Sequence, residues 1–329
     1  MIGIENIGNS CFINSAIQFL YNADIFRNYI LKKEFLNTVI INDNDTDAKK
    51  ILYKNIIIYF HSLFLNLHSE NQLSIKRYIQ NICQTLKELT EKDDYLASNI
   101  SNLNIHNDVE EFINFFFDKI EDYTADKSIK LNQSNIFYEK FFKTKNIINK
   151  CFKIQLANQQ KCINCGYLSK LNFNNYVNKL ELSIAENSIN SISDSLNYYC
   201  KTRVMNDYNC EKCKLIGKAK ERTILSVLPE FIIVQLLRFN NDGTKNNKSI
   251  NIDKVLDFTN NIYEKKVTKY ELTTISCHID FNLNCGHYIT FVNNDNKWYK
   301  IDDDNISITN NFDILTNNCY LLLYKKMIL

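Results

Sequence analysis

Residues 3–18 read Gly3-Ile4-Glu5-Asn6-Ile7-Gly8-Asn9-Ser10-Cys11-Phe12-Ile13-Asn14-Ser15-Ala16-Ile17-Gln18, a polar Gly/Asn turn that runs into an apolar-periodic segment. Phe12, Ile13, Ala16, Ile17 and Leu20 recur at helical spacing, and Asn9 and Ser10 are residue types that cap helices. The pattern predicts a helix beginning at Cys11. Unpaired backbone N–H groups and the helix dipole at such a position lower a thiol's pKa, so Cys11 reads as a thiolate nucleophile.

A thiolate alone does not hydrolyse an amide; a general base is needed elsewhere. Cys285-Gly286-His287-Tyr288-Ile289-Thr290-Phe291-Val292 leads into Lys297-Trp298-Tyr299-Lys300-Ile301-Asp302-Asp303-Asp304. Apolar alternation on both sides of 293–296 predicts a hairpin with His287 near the start of one strand and Asp302 at the end of the other. Antiparallel pairing brings those ends together, so a carboxylate can hold the imidazole in the tautomer that accepts the thiol proton. Asp303 and Asp304 are adjacent, and either can share that role.

Lys161-Cys162-Ile163-Asn164-Cys165-Gly166 and Asn209-Cys210-Glu211-Lys212-Cys213-Lys214 are two CxxC knuckles with 44 residues between them. One CxxC is a weak signal. Two pairs of thiolates can close a tetrahedral structural zinc site, with the intervening chain leaving and returning over several strands. Between the nucleophile and the knuckles, Val109, Phe112, Ile113, Phe116, Phe117 and Ile120 form a helical core stripe, and Asn107 with Glu110 has capping-box spacing. Residues 225–239 are apolar around the chain's only proline, Pro229, and predict a central buried strand in which Arg238 serves packing.

The first two segments together resemble the Cys box and His box of the ubiquitin-specific protease family of deubiquitinases. The family's first box, Gly-Leu-x-Asn-Leu-Gly-Asn-Thr-Cys-Tyr-x-Asn-Ser-x-Leu-Gln, is met with like-for-like exchanges such as Ile4, Ile7, Ser10 and Phe12. The second, Gly-His-Tyr followed by Trp-Tyr-x-Phe-Asp-Asp, is met by Gly286, His287, Tyr288, Trp298, Tyr299, Asp302 and Asp303, with Ile301 replacing the aromatic. The resemblance implies that Cys11 is the nucleophile, His287 the general base and acid, Asp302 its orienting residue and Asn6 an oxyanion-hole donor. Asp303 is a secondary catalytic candidate. It further implies an α+β papain-like cysteine protease fold covering 1–329 as one minimal catalytic domain. Its parts would be a helical thumb (1–135), fingers stapled by zinc on Cys162, Cys165, Cys210 and Cys213 (136–225), and a palm bearing the His box (226–329). Asp108 and Glu111 match the acids of the family's Gln-Gln-Asp-x-x-Glu-Phe segment, which receives ubiquitin's basic tail, while the two glutamines are His106 and Asn107 here. The loop 281–285 occupies the place of a family blocking loop and lacks the glycine often found inside it, which predicts a stiffer loop.

The implied reaction is thiol-dependent hydrolysis of the isopeptide or peptide bond after the C-terminal Gly-Gly of ubiquitin. Rival readings are a catalytically silent ubiquitin-binding module, a protease for another Gly-Gly modifier, and a zinc-dependent enzyme. Closed four-thiolate coordination speaks against the last. Composition fits the enzyme. Net charge is +2, from 39 basic and 37 acidic residues, which argues against a nucleic-acid surface or a polybasic membrane anchor. Apolar runs are too short to span a bilayer. The Cys box stands at the start of the sequence, which predicts no cleavable signal peptide. Of eleven cysteines, five carry the roles above and six are scattered, which predicts a reducing compartment, cytoplasm or nucleus, and a monomer that binds ubiquitin and ubiquitinated proteins.

Overall fold

The computed structural model describes residues 1–40, 47–93, 107–124, 147–240, 242–264, 266–282, 285–310 and 313–328. His106 and the tip of the loop before His287 lie outside them.

Among the described residues, seven helices come first: α1 (Cys11–Tyr21), α2 (Asp24–Ile30), α3 (Lys33–Ile40), α4 (Ala48–His68), α5 (Gln72–Thr90), α6 (Val109–Thr124) and α7 (Ile147–Cys151). Their starts follow side-chain chemistry. Asp47 accepts the Lys49 N–H at α4, and Asn71 accepts the Ser74 N–H at α5. Where the spacing predicts an Asn107–Glu110 capping box at α6, the Glu110 N–H goes instead to Asp108 Oδ1, 2.7 Å away. The Glu110 carboxylate is drawn off to Asn114 and Lys179.

The helix that begins at Cys11 is more buried than its apolar spacing implies: all of Cys11 to Leu20 is inside. Each polar residue on it therefore needs a partner. Asn14 Nδ2 donates to the Ile4 carbonyl, Gln18 Nε2 to the Ile2 carbonyl, and Ser15 Oγ lies 2.7 Å from Ser276 Oγ and 2.8 Å from Thr290 Oγ1. The helix is thereby pinned to the N-terminal segment on one side and to a sheet on the other.

Two sheets follow. Strands β1 (Ile154–Cys162), β2 (Asn172–Val177), β4 (Arg203–Asn209) and β5 (Ile216–Val227) form a four-stranded sheet ordered β2-β1-β5-β4. The second, eight-stranded sheet runs β11-β10-β9-β8-β12-β6-β3, with β7 paired to β8. Its strands are β3 (Leu180–Ser183), β6 (Phe231–Leu237), β7 (Val255–Asp257), β8 (Lys269–Asn282), β9 (Cys285–Asn294), β10 (Lys297–Asp302), β11 (Asn305–Ile308) and β12 (Cys319–Lys326). Helices α8 (Ile192–Tyr199) and α9 (Asp313–Asn318) are interspersed among these strands.

Strand β6 is buried along six of its seven residues because both faces are covered. Phe231 and Ile233 join the core shared with the helices, while Ile232, Val234 and Leu236 join a second core with Leu196 of α8 and Leu315 of α9. It is not central, however. Only β3 separates it from the edge, so burial here comes from layers above and below rather than from strand order. Arg238, just beyond it, is fully buried and donates to the carbonyls of Cys319, Asn246, Lys248 and Thr316, which matches the packing role read for it.

Candidate active site and zinc site

The turn before Cys11 is built by positive φ at Gly8 (95°) and Asn9 (49°) and by the side chain of Asn6. Asn6 Oδ1 accepts from the N–H of Gly8 at 3.1 Å and of Ser10 at 3.2 Å. Ser10 stands at the N-cap position, but its hydroxyl makes no cap; it accepts the Ile7 N–H instead. Both polar residues are thus spent on shaping the turn. Cys11 emerges from it at 3% exposure.

His287 arrives from the sheet. Strands β9 and β10 pair from Lys297↔Asn294 to Ile301↔Thr290, around a two-residue turn of Asp295 and Asn296 with φ of 52° and 61°. That register sets Asp302 beside His287, and Nε2 of the imidazole lies 2.6 Å from Asp302 Oδ1. The other ring nitrogen, Nδ1, is left for Cys11, whose side chain is hydrogen-bonded to His287. That bond raises the imidazole pKa to about 9; it outweighs burial, and Asp302 and Asp303 add to the rise. For Asp302, burial works upward, but Lys300 and His287 prevail and hold its carboxyl below the usual range. The glycine before His287 is obligatory. Gly286 has φ of 153°, and a Cβ there would lie 2.5 Å from His278 Nε2 and 2.7 Å from the Ile279 carbonyl.

Asp303 holds the two halves of the site together. Its Oδ2 accepts from Asn6 Nδ2 and its Oδ1 from Asn14 Nδ2, each at 2.9 Å, and its carbonyl accepts the Ile4 N–H at 2.8 Å. His287 Nε2 is farther away, 3.9 Å from Asp303 Oδ2. Asn14 was legible in the sequence only as a polar residue on an apolar-periodic helix. Its role as Asp303's second donor depends on a turn nearly three hundred residues away.

Asp108 and Glu111 sit at the start of α6. Asp108 accepts from Tyr320 Oη at 2.6 Å as well as from the Glu110 N–H, and burial raises its pKa to about 6. Burial, together with the charges of Asp108 and Glu110, raises Glu111 to about 7. Lys179, bound to Glu110 and to Gln235 Oε1 at 2.6 Å, is the nearby cation, and it belongs to a buried network that sequence reading missed.

The four knuckle cysteines converge at the far end of the four-stranded sheet, with their Sγ atoms within 4.8 Å of one another. Each knuckle closes the same way: Gly166 N–H donates to the Cys162 carbonyl at 3.0 Å and Lys214 N–H to the Cys210 carbonyl at 2.9 Å. Gly166 and Lys214 take φ of 71° and 61° at equivalent positions. Tetrahedral zinc with Zn–S near ~2.3 Å needs sulfurs ~3.8 Å apart. The Cys165–Cys210 and Cys162–Cys213 separations are 3.6 and 4.0 Å, so the donor set fits zinc and, with four thiolates, leaves no coordination position open. Among the other described thiols, Cys151, Cys277 and Cys319 are buried and Cys83 and Cys200 are half-buried. Burial raises Cys83 to about 11 and Cys151 to about 12, and Cys277 and Cys319 are fully buried. Among the other histidines, His61 binds the Ile30 carbonyl at 2.6 Å and His278 is buried between Phe239 and Tyr288.

A helix-borne thiol facing a histidine and carboxylate on an antiparallel hairpin of a mixed sheet is the arrangement of a papain-like α+β fold. The sequence profile described as ubiquitin carboxyl-terminal hydrolase matches residues 2–324, and the chain belongs to that family. Relatives include ubiquitin carboxyl-terminal hydrolase 25 of Arabidopsis thaliana, 24% identical over 99% of this chain and 47% of its own length. Ubiquitin carboxyl-terminal hydrolase 4 of the same plant is 23% identical over 99% of this chain and 93% of its own length. The chain thus spans about half of the first relative and nearly all of the second. Among solved structures, the SAGA Ubp8/Sgf11/Sus1/Sgf73 DUB module bound to ubiquitin aldehyde contains a chain that matches with a TM-score of 0.73 and 21% identity, over 100% of this chain and 70% of that one. A SAGA DUB module bound to monoubiquitin gives 0.75 and 22%, again over 100% and 70%.

Proposed function

We propose that the chain is a cysteine-type deubiquitinase that hydrolyses the isopeptide or peptide bond after the C-terminal Gly-Gly of ubiquitin. The observation that carries this reading is the alignment of Cys11, His287 and Asp302 across the junction of α1 and the eight-stranded sheet. Contact with the thiol raises the imidazole pKa to about 9, so His287 carries its proton near neutral pH, and a cationic ring beside Cys11 favours the thiolate as nucleophile. The thiolate attacks the glycine carbonyl, and the Asn6 amide donates to the oxyanion. His287 gives its proton to the leaving lysine amine, then takes one from water as the thioester is hydrolysed. Asp302 keeps the ring oriented throughout. Asp303 clamps the Asn6 amide, so that the donor is fixed before substrate arrives.

A Gly-Gly end offers no side chain to select, so recognition falls to a broad surface. The helical part (1–135) and the zinc-stapled sheet (136–225) would hold the folded body of ubiquitin, and the part bearing the His box (226–329) would present its tail. Glu111 supports a cationic tail: a half-buried carboxylate with a pKa near 7, set among like charges, gains most from an arginine. Ubiquitin and ubiquitinated proteins are the partners on this reading, the working form is a monomer, and the site of action is inside the cell. No described helix is long and apolar enough to cross a membrane.

Hydrolysis of a fluorogenic ubiquitin C-terminal amide tests the reaction. Wild type should turn it over and Cys11→Ala should not; equal rates would overturn the assignment. Preference for another Gly-Gly modifier in the same assay would move the substrate and leave the chemistry.

A further inference from the structure

Lys245, in the loop after β6, is buried at 8% exposure. Its Nζ donates to the carbonyl of His278 at 2.5 Å, the carbonyl of Asp280 at 3.0 Å and Asn318 Oδ1 at 2.7 Å. Those three bonds use all three donors of an ammonium. Two of the acceptors flank Ile279, and Ile279 is the register partner of His287 in the β8–β9 pair. The same short run supports the neighbouring residue, since Gly286 abuts the His278 ring and the Ile279 carbonyl.

The backbone here is under strain. Asp280 has φ of 125°, which L residues rarely adopt, and the β8–β9 register shifts between Ile279 and Asn282. Such a conformation persists only where surrounding bonds hold it, and the Lys245 ammonium binds the carbonyl of Asp280 itself. Keeping the ammonium in place is costly. Burial, with Arg238 nearby, lowers its pKa to about 8, while Cys277, Asp280 and Cys319 work in the other direction. Near neutral pH it is still charged. A buried cation at a strained strand end beside the proton carrier does more than fill space.

We propose that Lys245 is a positioning residue: by gripping the carbonyls on both sides of Ile279 it fixes the end of β8, against which β9 sets His287, and so the contact between His287 and Cys11. The inference rests on reading His287 as the proton carrier. It does not depend on which modifier is the substrate.

The test is alkylation of Cys11 by iodoacetamide in the zinc-loaded protein, followed across pH by mass analysis of the Cys11 peptide. This reads the thiolate–imidazolium pair without any substrate, so it stays informative if ubiquitin proves not to be one. Lys245→Met keeps the side-chain length and removes the donors. It should slow alkylation near neutral pH by roughly 10-fold, as the thiolate fraction falls toward that of an unpaired thiol. On ubiquitin amide it should lower kcat with KM little changed. Lys245→Arg should restore part of both. If Lys245→Met does not fold, Asn318→Ala removes one acceptor and leaves the lysine, with a smaller slowing expected in the same direction. A wild-type alkylation profile in whichever of these variants folds, accompanied only by a lower Tm, would overturn the proposal and leave Lys245 as a brace.

Discussion

At the scale of single residues, the site divides into what side-chain type reveals and what only contact reveals. Cys11, His287 and Asp302 announced themselves through the turn-to-helix junction and the hairpin. Asn6 reached its reading through resemblance, and the structure adds why an asparagine suits the position: Oδ1 shapes the turn while Nδ2 is held by Asp303. Asn6→Ala removes a proposed oxyanion donor, with an expected loss of about 100 to 1000-fold in kcat and a smaller change in KM, read from steady-state kinetics. Normal turnover would remove Asn6 from the oxyanion hole. The pH dependence follows from His287. Its imidazolium is needed to protonate the leaving amine, and its raised pKa means that the proton is kept through neutrality and lost as pH rises through about 9. kcat/KM should therefore fall on the alkaline side near that value. Asp302→Asn should move the limb to lower pH, because a carboxylate that stabilises the charged ring is gone.

At the scale of elements, periodicity located the helix at Cys11 and the β9–β10 hairpin because each is set by local pattern. It misplaced β6. A continuous apolar run says that both faces are covered, and it does not say how many strands lie to either side; that number depends on β3 pairing in parallel from a distant part of the chain. The start of α6 was also misread, since Asn107 and Asp108 are both capping types and spacing does not rank them. Tyr320 favours the second by donating to its carboxylate. The knuckles, by contrast, were fully legible, since four sulfurs in two CxxC pairs have few other uses. Chelation of the zinc should loosen the 162–166 and 210–214 turns and raise KM for ubiquitin amide by about 10-fold, equivalent to roughly 1.4 kcal/mol of lost contact. Iodoacetamide alkylation of Cys11 should be unchanged. Loss of alkylation on chelation would mean that the metal supports the catalytic pair and not the grip.

At the scale of the molecule, the proposed nucleophile Cys11 and its proposed base His287 belong to different layers, and the proposed chemistry depends on how those layers are joined. Ser15 ties α1 to Ser276 and Thr290 of the sheet, Asp303 ties the turn between β10 and β11 to Asn6 and Asn14, and Tyr320 ties β12 to the start of α6. None of these ties is visible as a pattern, because each joins residues far apart in sequence. Together they hold a thiol, an imidazole and an amide side by side without help from substrate. The most direct measurement is reaction with ubiquitin bearing a C-terminal electrophile, resolved by intact mass and peptide mapping. One ubiquitin adduct on Cys11 in wild type, none in Cys11→Ser, and a slowed reaction in His287→Ala is the predicted result. Stable ubiquitin binding without an adduct, or an adduct on any other cysteine, would contradict it.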